Sequence, residues 1–376
     1  MMKRIVQSIV LLVVMSSTYS QVDKFTIGEI HSFTSEILKE ERKIALYLPQ
    51  DYQQSGKNYQ VLYLLDGEWN FPFVASLSEK LVASGDMPPL IIVGILNNNR
   101  NKDLTPPGKN DNKTRFGGGE FFLKFLTEEL KPWIEEKYRT HPYSILAGHS
   151  FGGLFSIYAM MKQPDQFQAF ISLSPSLGRN GEQQIRIAQD FFPQKTSFPK
   201  SLYLAIGDES GYTYSSSQKF QKLLQKKLPE EMRFKFELLN EENHVSMTIG
   251  GFVHALKFLY EGYNPEHLGK LDEIFLVESH YEDLSKRYGH LIPIPEQFYQ
   301  TFTAEQISFR DYEYALYILS KYKAAYPLSL EMLAQYATVY LLKGEFEEAK
   351  KYYMQLKDQG VEDENLEKIL QQIDRK

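Results

Sequence analysis

Apolar and polar positions fall into two patterns along this chain. Short apolar-rich runs recur as YQVLYLL at 59–65, LIIVGIL at 90–96, YSILAG at 143–148, FQAFISLS at 167–174, SLYLAIG at 201–207 and RFKFELL at 233–239. Runs of this length bounded by turn residues predict strands, and the nearly continuous apolar ones predict strands covered on both faces. Between them, 73–83, 121–138, 151–161, 181–190, 214–228 and 246–260 carry helical spacing. Two earlier strands, 25–31 and 42–48, have no helix between them and predict an antiparallel edge. Strands alternating with helices argue a three-layer α/β domain with a mostly parallel sheet. They are too few and too irregular for a (β/α)8 barrel.

Strand signals vanish from about Asn264. Residues 309–326, 330–343, 346–357 and 365–373 read as helices, with Pro327 and Gly344 marking turns. AQYATVYLLKGEFEEAKKYYMQL resembles one tetratricopeptide unit, with small Ala334 and Ala337 where paired helices approach and Gly344 between helices. One clear unit is short of an independent array. A helical appendage packed on the α/β domain is therefore expected at 300–376, with its helices offering a surface for protein contact or dimerisation. The main domain is expected at 21–290. Within it, the polar stretch 97–119 reads as a long loop of the kind that is either functional or disordered.

The first twenty residues differ from the rest. Lys3 and Arg4 precede IVQSIVLLVVM, and SSTYS follows, the three-part order of a secretory signal ending near Ser20. Its apolar core is shorter than the roughly 20 residues needed to span a bilayer. The expectation is a periplasmic or secreted protein without stable membrane insertion after cleavage. With no Cys in the chain there is neither a disulfide nor a thiolate nucleophile, and stability has to come from the core. A formal charge of −6 without a basic stripe argues against a nucleic-acid partner.

The candidate chemistry lies in ILAGHSFGG at 145–153. Gly148, Ser150 and Gly152 satisfy G-x-S-x-G between a predicted strand and a predicted helix. Such a turn exposes a serine oxygen, and the glycines leave room for the backbone to fold tightly. Serine needs an adjacent base that is itself held by a carboxylate. Of the later histidines only His244, in LLNEENHVSM, directly follows a predicted strand; His254 lies in a helix, and His267, His280 and His290 fall in the strandless region. The acid is expected after SLYLAIG, where Glu209 is preferred to Asp208. A developing oxyanion needs fixed donors. The N–H of Phe151 is expected to supply one, and that of Glu68 or Trp69, in the turn of YLLDGEWNF, the other.

Together LYLLDGEWNF, GILNNNRNKDLTP, ILAGHSFGGLFSIYAM, FISLSPSL and NHVSM resemble the esterase D and enterochelin esterase-like branch of the α/β-hydrolases, close to the IroE-like serine hydrolases. The resemblance covers about residues 25–290. It implies an α/β-hydrolase fold that cleaves carboxylic esters without metal or cofactor, on small-molecule or glycan substrates such as siderophore trilactones, acylated sugars and feruloyl or acetyl esters. It also implies that Ser150 is the nucleophile, His244 the base and the carboxylate after SLYLAIG the acid. NNNRNKDLTP resembles a cleft-lining stretch, which would put Arg100 and Asp103 near the substrate; the alternative is an internal salt bridge fixing the long loop. Trp69 and His149 complete the expected substrate contacts. A peptidase of the same fold, an acyl transferase and a binding protein acting through the helical tail are the competing readings.

Overall fold

The computed structural model describes residues 26–264 and 274–361, together with Lys368, Leu370 and Ile373. The predicted signal segment and most of the predicted last helix lie outside the described residues. The strands are β1 (Glu29–Ser35), β2 (Glu40–Tyr47), β3 (Tyr59–Leu64), β4 (Leu90–Ile95), β5 (Thr140–His149), β6 (Ala169–Leu173), β7 (Ser201–Gly207) and β8 (Arg233–Leu239). The helices up to residue 260 are α1 (Tyr52–Ser55), α2 (Gly67–Ala83), α3 (Arg100–Asp103), α4 (Gly119–Lys124), α5 (Lys131–Lys137), α6 (Phe151–Lys162), α7 (Arg179–Phe191), α8 (Tyr212–Lys227) and α9 (Met247–Leu259). A π-helical turn, Phe125–Leu130, joins α4 to α5. Five more helices follow: α10 (Ile274–Tyr288), α11 (Glu296–Phe309), α12 (Tyr312–Ala325), α13 (Leu330–Lys343) and α14 (Phe346–Asp358).

All eight strands form one sheet in the order β1-β2-β4-β3-β5-β6-β7-β8. The contacts of β2 with β1 and β4 are antiparallel, and every other neighbour is parallel. This is the three-layer arrangement expected from the strand and helix alternation, and it is the α/β-hydrolase fold that the resemblance implies. Every residue of β3, β4, β6 and β7 is buried, as a sheet covered on both faces requires. Alternation splits β3 between two cores: Val61 and Tyr63 pack with α4, α5 and α6, while Leu62 and Leu64 pack with α2 and α9. Each fully buried branched side chain contributes about 1.5–3 kcal/mol to holding the layers together. Because the parallel strands point the same way, their carboxyl ends gather the turns that carry Gly67, Ser150, Ser174, Asp208 and His244 at one edge of the sheet.

The helical region begins at Ile274, earlier than the sequence pattern indicated. Ile274, Val277, Tyr281, Leu284 and Tyr288 of α10 join the same apolar cluster as α2 and α9. The helix expected at 309–326 is α12, Tyr312–Ala325, and α11 before it has no counterpart among the expected helices. Arg310 adopts a left-handed conformation with φ +61°, and the Asp311 side chain caps α12 by accepting from Tyr314 N–H. Two helical hairpins result, and the second repeats the first at an offset of 34 residues: Glu296 corresponds to Leu330 and Tyr312 to Phe346. Ala315 and Ala349 are both fully buried at matching positions, and Arg310 matches the left-handed Gly344. At the other end of the sheet the His141 ring on β5 stacks on His290 at 3.8 Å, and His290 Nε2 lies 3.1 Å from Gln60 Nε2 on β3. No helix among the described residues is long and apolar enough to cross a membrane.

Two consequences can be measured. A left-handed non-glycine residue carries a steric cost that glycine avoids. Arg310→Gly is therefore expected to raise stability by about 0.5–1 kcal/mol in chemical denaturation. Burial, and then the neighbouring His290, lower the pKa of His141 from 6.5 to about 4. The unfolded chain thus takes up its proton first as the solution is acidified. Stability contributed by keeping this ring neutral is present above about pH 6.5 and declines toward pH 4. His141→Phe is expected to flatten that part of the stability profile, as followed by thermal melts across the interval.

Candidate active site

Ser150 sits between β5 and α6 with φ +59° and ψ −112°. Few non-glycine residues adopt such a backbone, and the neighbours explain how it is tolerated. A Cβ on Gly148 would meet the Gly152 backbone at 2.4 Å, and one on Gly153 would meet Leu173 O at 2.8 Å. The elbow is tied to β6, since Ser150 N–H donates to Leu173 O at 2.8 Å and Ser176 N–H donates to Ser150 O. Ser150 Oγ lies 3.4 Å from Ser176 Oγ.

His244 follows β8, and its Nδ1 is 2.8 Å from Glu209 Oε2. The other oxygen, Glu209 Oε1, accepts a short hydrogen bond from Ser174 Oγ. Ser174 is fully buried and has φ +38°. Asp208 is exposed, and its N–H donates to Glu242 O, so of the two candidates Glu209 alone meets the histidine. No hydrogen bond joins Ser150 to His244 in the unliganded chain. The His244 ring packs at 4.6 Å on that of His149.

His149, expected among the substrate contacts, is spent on the loop of the base: its Nε2 lies 2.6 Å from His244 O, the geometry of a ring N–H donating to that carbonyl. Burial, and then the proximity of His244, lower its pKa to about 4. Its ring is neutral through the physiological range, which suits a donor to a carbonyl.

Arg100 and Asp103 part company. Asp103 is buried and turned away from the cleft, where its Oδ2 takes a 2.8 Å hydrogen bond from Arg42. That position excludes the substrate contact expected of it, because the cavity around the carboxylate is filled by Arg42 stacked against Phe122 and Phe125. Arg100 makes an internal ion pair, with a partner that the sequence did not suggest. Its Nε and Nη2 hold both oxygens of Asp66 at 2.6 and 2.8 Å, and Nη2 also reaches His149 O at 3.2 Å. Asp66 is nearly inaccessible and has φ +56°, and it also accepts from Asn97 Nδ2. The guanidinium thus pins the turn after β3 to the turn after β5.

Those two turns open α2 and α6. The N–H groups of Glu68 and Phe151, in the first turns of their helices, have no hydrogen-bond partner. That of Trp69 donates to Asp66 O at 3.1 Å, which leaves Glu68 as the donor available on this side. The Trp69 indole is 64% exposed beside Arg100. Nearby Phe71 is buried in the core, and Phe73 is at the margin of exposure. The long loop is folded: Thr105 Oγ1 bonds the backbone at Asn101 and Gly117, and Asp111 Oδ1 pairs with Arg179 at 2.6 Å. Ser174, Ser176 and the carboxylate of Asp66 were missed from sequence as site residues. The run SPS directly after a buried strand was the available signal for the serines.

The family model described as "Putative esterase" matches residues 35–245, more than half of the chain. An IroE-like serine hydrolase from Shewanella oneidensis aligns with a TM-score of 0.69 at 28% identity, over 79% of this chain and 99% of that one. The ferri-bacillibactin esterase BesA of Bacillus subtilis is 28% identical over 229 residues, which is 53% of this chain and 78% of the relative. An uncharacterised Capnocytophaga ochracea protein shares the fold with a TM-score of 0.70 at 18% identity, over 93% of this chain and 100% of that one, a span that takes in the helical region. The chain belongs to this esterase family and is a carboxylic-ester hydrolase with the α/β-hydrolase fold.

Proposed function

We propose that this esterase cleaves siderophore-type or chemically similar carboxylic esters through Ser150, His244 and Glu209. The observation that carries the assignment is the 2.8 Å contact of His244 Nδ1 with Glu209 beside a serine held on a glycine-spaced elbow. His244 removes the Ser150 proton as Oγ attacks the ester carbonyl, and Glu209, itself oriented by Ser174, fixes the imidazole tautomer and offsets its developing charge. The N–H groups of Phe151 and Glu68 receive the oxyanion. The alcohol leaves with the proton from His244, and water then frees the acid from Ser150 by the same steps.

The substrate class rests on the relatives and on the rim. BesA is by name an esterase of ferri-bacillibactin. Around the site stand Trp69 at 64%, Tyr212 at 79% and Val245 at 68% exposure, an open apolar rim suited to a wide acyl group with aromatic rings. Acylated sugars and feruloyl esters present similar groups. The pattern of residues 1–20 supports export to the periplasm or medium, so that hydrolysis would act on an ester met outside the cytoplasm. The 34-residue offset between the two C-terminal hairpins supports reading them as tetratricopeptide-like.

Ser150→Ala is expected to abolish turnover of catecholate, feruloyl and acetyl esters while leaving the melting temperature nearly unchanged; retained hydrolysis would refute the nucleophile. A fluorophosphonate should label the native protein at Ser150, as mass spectrometry of the tryptic peptide would reveal. Absence of labelling on folded protein would favour the binding-protein reading. Glu209→Gln is expected to lower kcat on the order of 10³- to 10⁴-fold, whereas Asp208→Asn should stay within a few-fold of the parent. A panel that also holds peptide and sugar-acceptor substrates separates esterase from peptidase and from acyl transferase.

A further inference from the structure

Strand β8 is the last strand of the sheet and, among the described residues, pairs only with β7. Arg233 N–H donates to Lys200 O on the β7 side. Backbone groups alternate along a strand, so residues 233, 235, 237 and 239 face β7, and the N–H and C=O groups of Phe234, Phe236 and Leu238 point off the sheet. An open row of this kind is a template for another strand.

Which strand fits is written in the sequence RFKFELL, 233–239. We propose that β8 pairs antiparallel with β8 of a second copy about a two-fold axis at Phe236, joining two eight-stranded sheets into one. In that register Phe236 meets its own counterpart, Phe234 meets Leu238 of the second copy, and Lys235 meets Glu237 of the second copy, the last two contacts each occurring twice. The outward groups of 234, 236 and 238 become the hydrogen-bonded pairs. Lys235 and Glu237 fall in the non-hydrogen-bonded pairs, where side chains approach most closely.

Both faces of the strand agree with this pairing. Lys235 is exposed and reaches Glu237 Oε2 of its own strand at 3.4 Å, while Glu237 is also held by Tyr203 Oη at 2.6 Å and His254 Nδ1 at 3.0 Å, so in the dimer each carboxylate lies between its own Lys235 and that of the second copy. The carboxylate is thus held in place on the same face as the incoming ammonium. On the other face Leu238 is 36% exposed, and Phe234 and Phe236 are only partly covered by the core. Competing registers lose. An axis at Lys235 or at Glu237 sets like charges opposite each other, an axis at Phe234 opposes Arg233 to Lys235, and parallel pairing in register opposes each charge to itself. Such mismatches are the usual means by which one pairing is selected among several.

Sedimentation of the mature protein across the micromolar range is expected to show a monomer–dimer equilibrium. Lys235→Glu places Glu opposite Glu twice and should weaken the dimer about tenfold. The exchanged pair, Lys235→Glu with Glu237→Lys, should restore it. Ester hydrolysis and far-UV circular dichroism serve as readouts of folding for each variant. Amide hydrogen exchange on the unmodified chain gives a separate reading: Phe234, Phe236 and Leu238 should gain protection as concentration rises. A protein that stays monomeric over this range, a dimer indifferent to Lys235→Glu, or a dimer in which those three amides exchange as in the monomer would overturn the proposal.

Discussion

A buried carboxylate governs the catalytic end of this molecule. Asp66 is almost wholly removed from water, and a charge in that position is tolerated only when paired and hydrogen-bonded. Arg100 supplies both, and its remaining reach extends to the carbonyl of His149. One guanidinium thereby sets the distance between the first turn of α2 and the elbow before α6. The N–H groups of Glu68 and Phe151 sit on those turns, so their relative placement follows from this ion pair. The 97–119 loop is part of the same arrangement, because Arg100 and Asn97 both come from its start.

Glu209 and His244 are fixed by a second, independent set of bonds. Glu209 receives Ser174 on one oxygen and His244 on the other, which leaves the carboxylate little freedom to rotate. His149 holds the His244 loop from the opposite side through the carbonyl. These bonds tie together the ends of β5, β6 and β7 and the segment after β8. The parallel sheet brings four sequence-distant turns together at one edge, which is where ligands bind in open α/β folds.

Much of this was legible in the chain. β3, β4, β6 and β7 were identifiable from apolar runs, because a strand covered on both faces leaves a continuous hydrophobic signature, whereas β1, largely exposed, lies at Glu29–Ser35 and not at the 25–31 expected. Ser150, His244 and Glu209 each follow such a run directly, and strand ends are what the fold brings together, so that His244 and Glu209 meet beside the elbow. The partners of Arg100 and Asp103 were not legible. Three residues apart would have suggested a shared destination, but α3 turns one toward Asp66 and the other toward Arg42, and which side chain faces the core depends on packing far away in sequence. The helical region was read in part. Its last hairpin shows small residues and a glycine turn, whereas α11 ends on Arg310, whose left-handed backbone has no signature in composition. The periodic apolar face of α10 lies between glycine- and proline-bearing segments that mask its rhythm.

The glycine contacts at the elbow bear on how this enzyme can change over evolutionary time. With Gly148 against the Gly152 backbone and Gly153 against Leu173, no side chain can be added on the floor of the site without moving the strand that carries it. Trp69, Tyr212 and Val245 project into solvent with no such restriction. New substrates would therefore be acquired by drift at the mouth of the cleft over an unchanging floor. A lineage of these proteins should diversify in what it admits long before it varies in how it cuts.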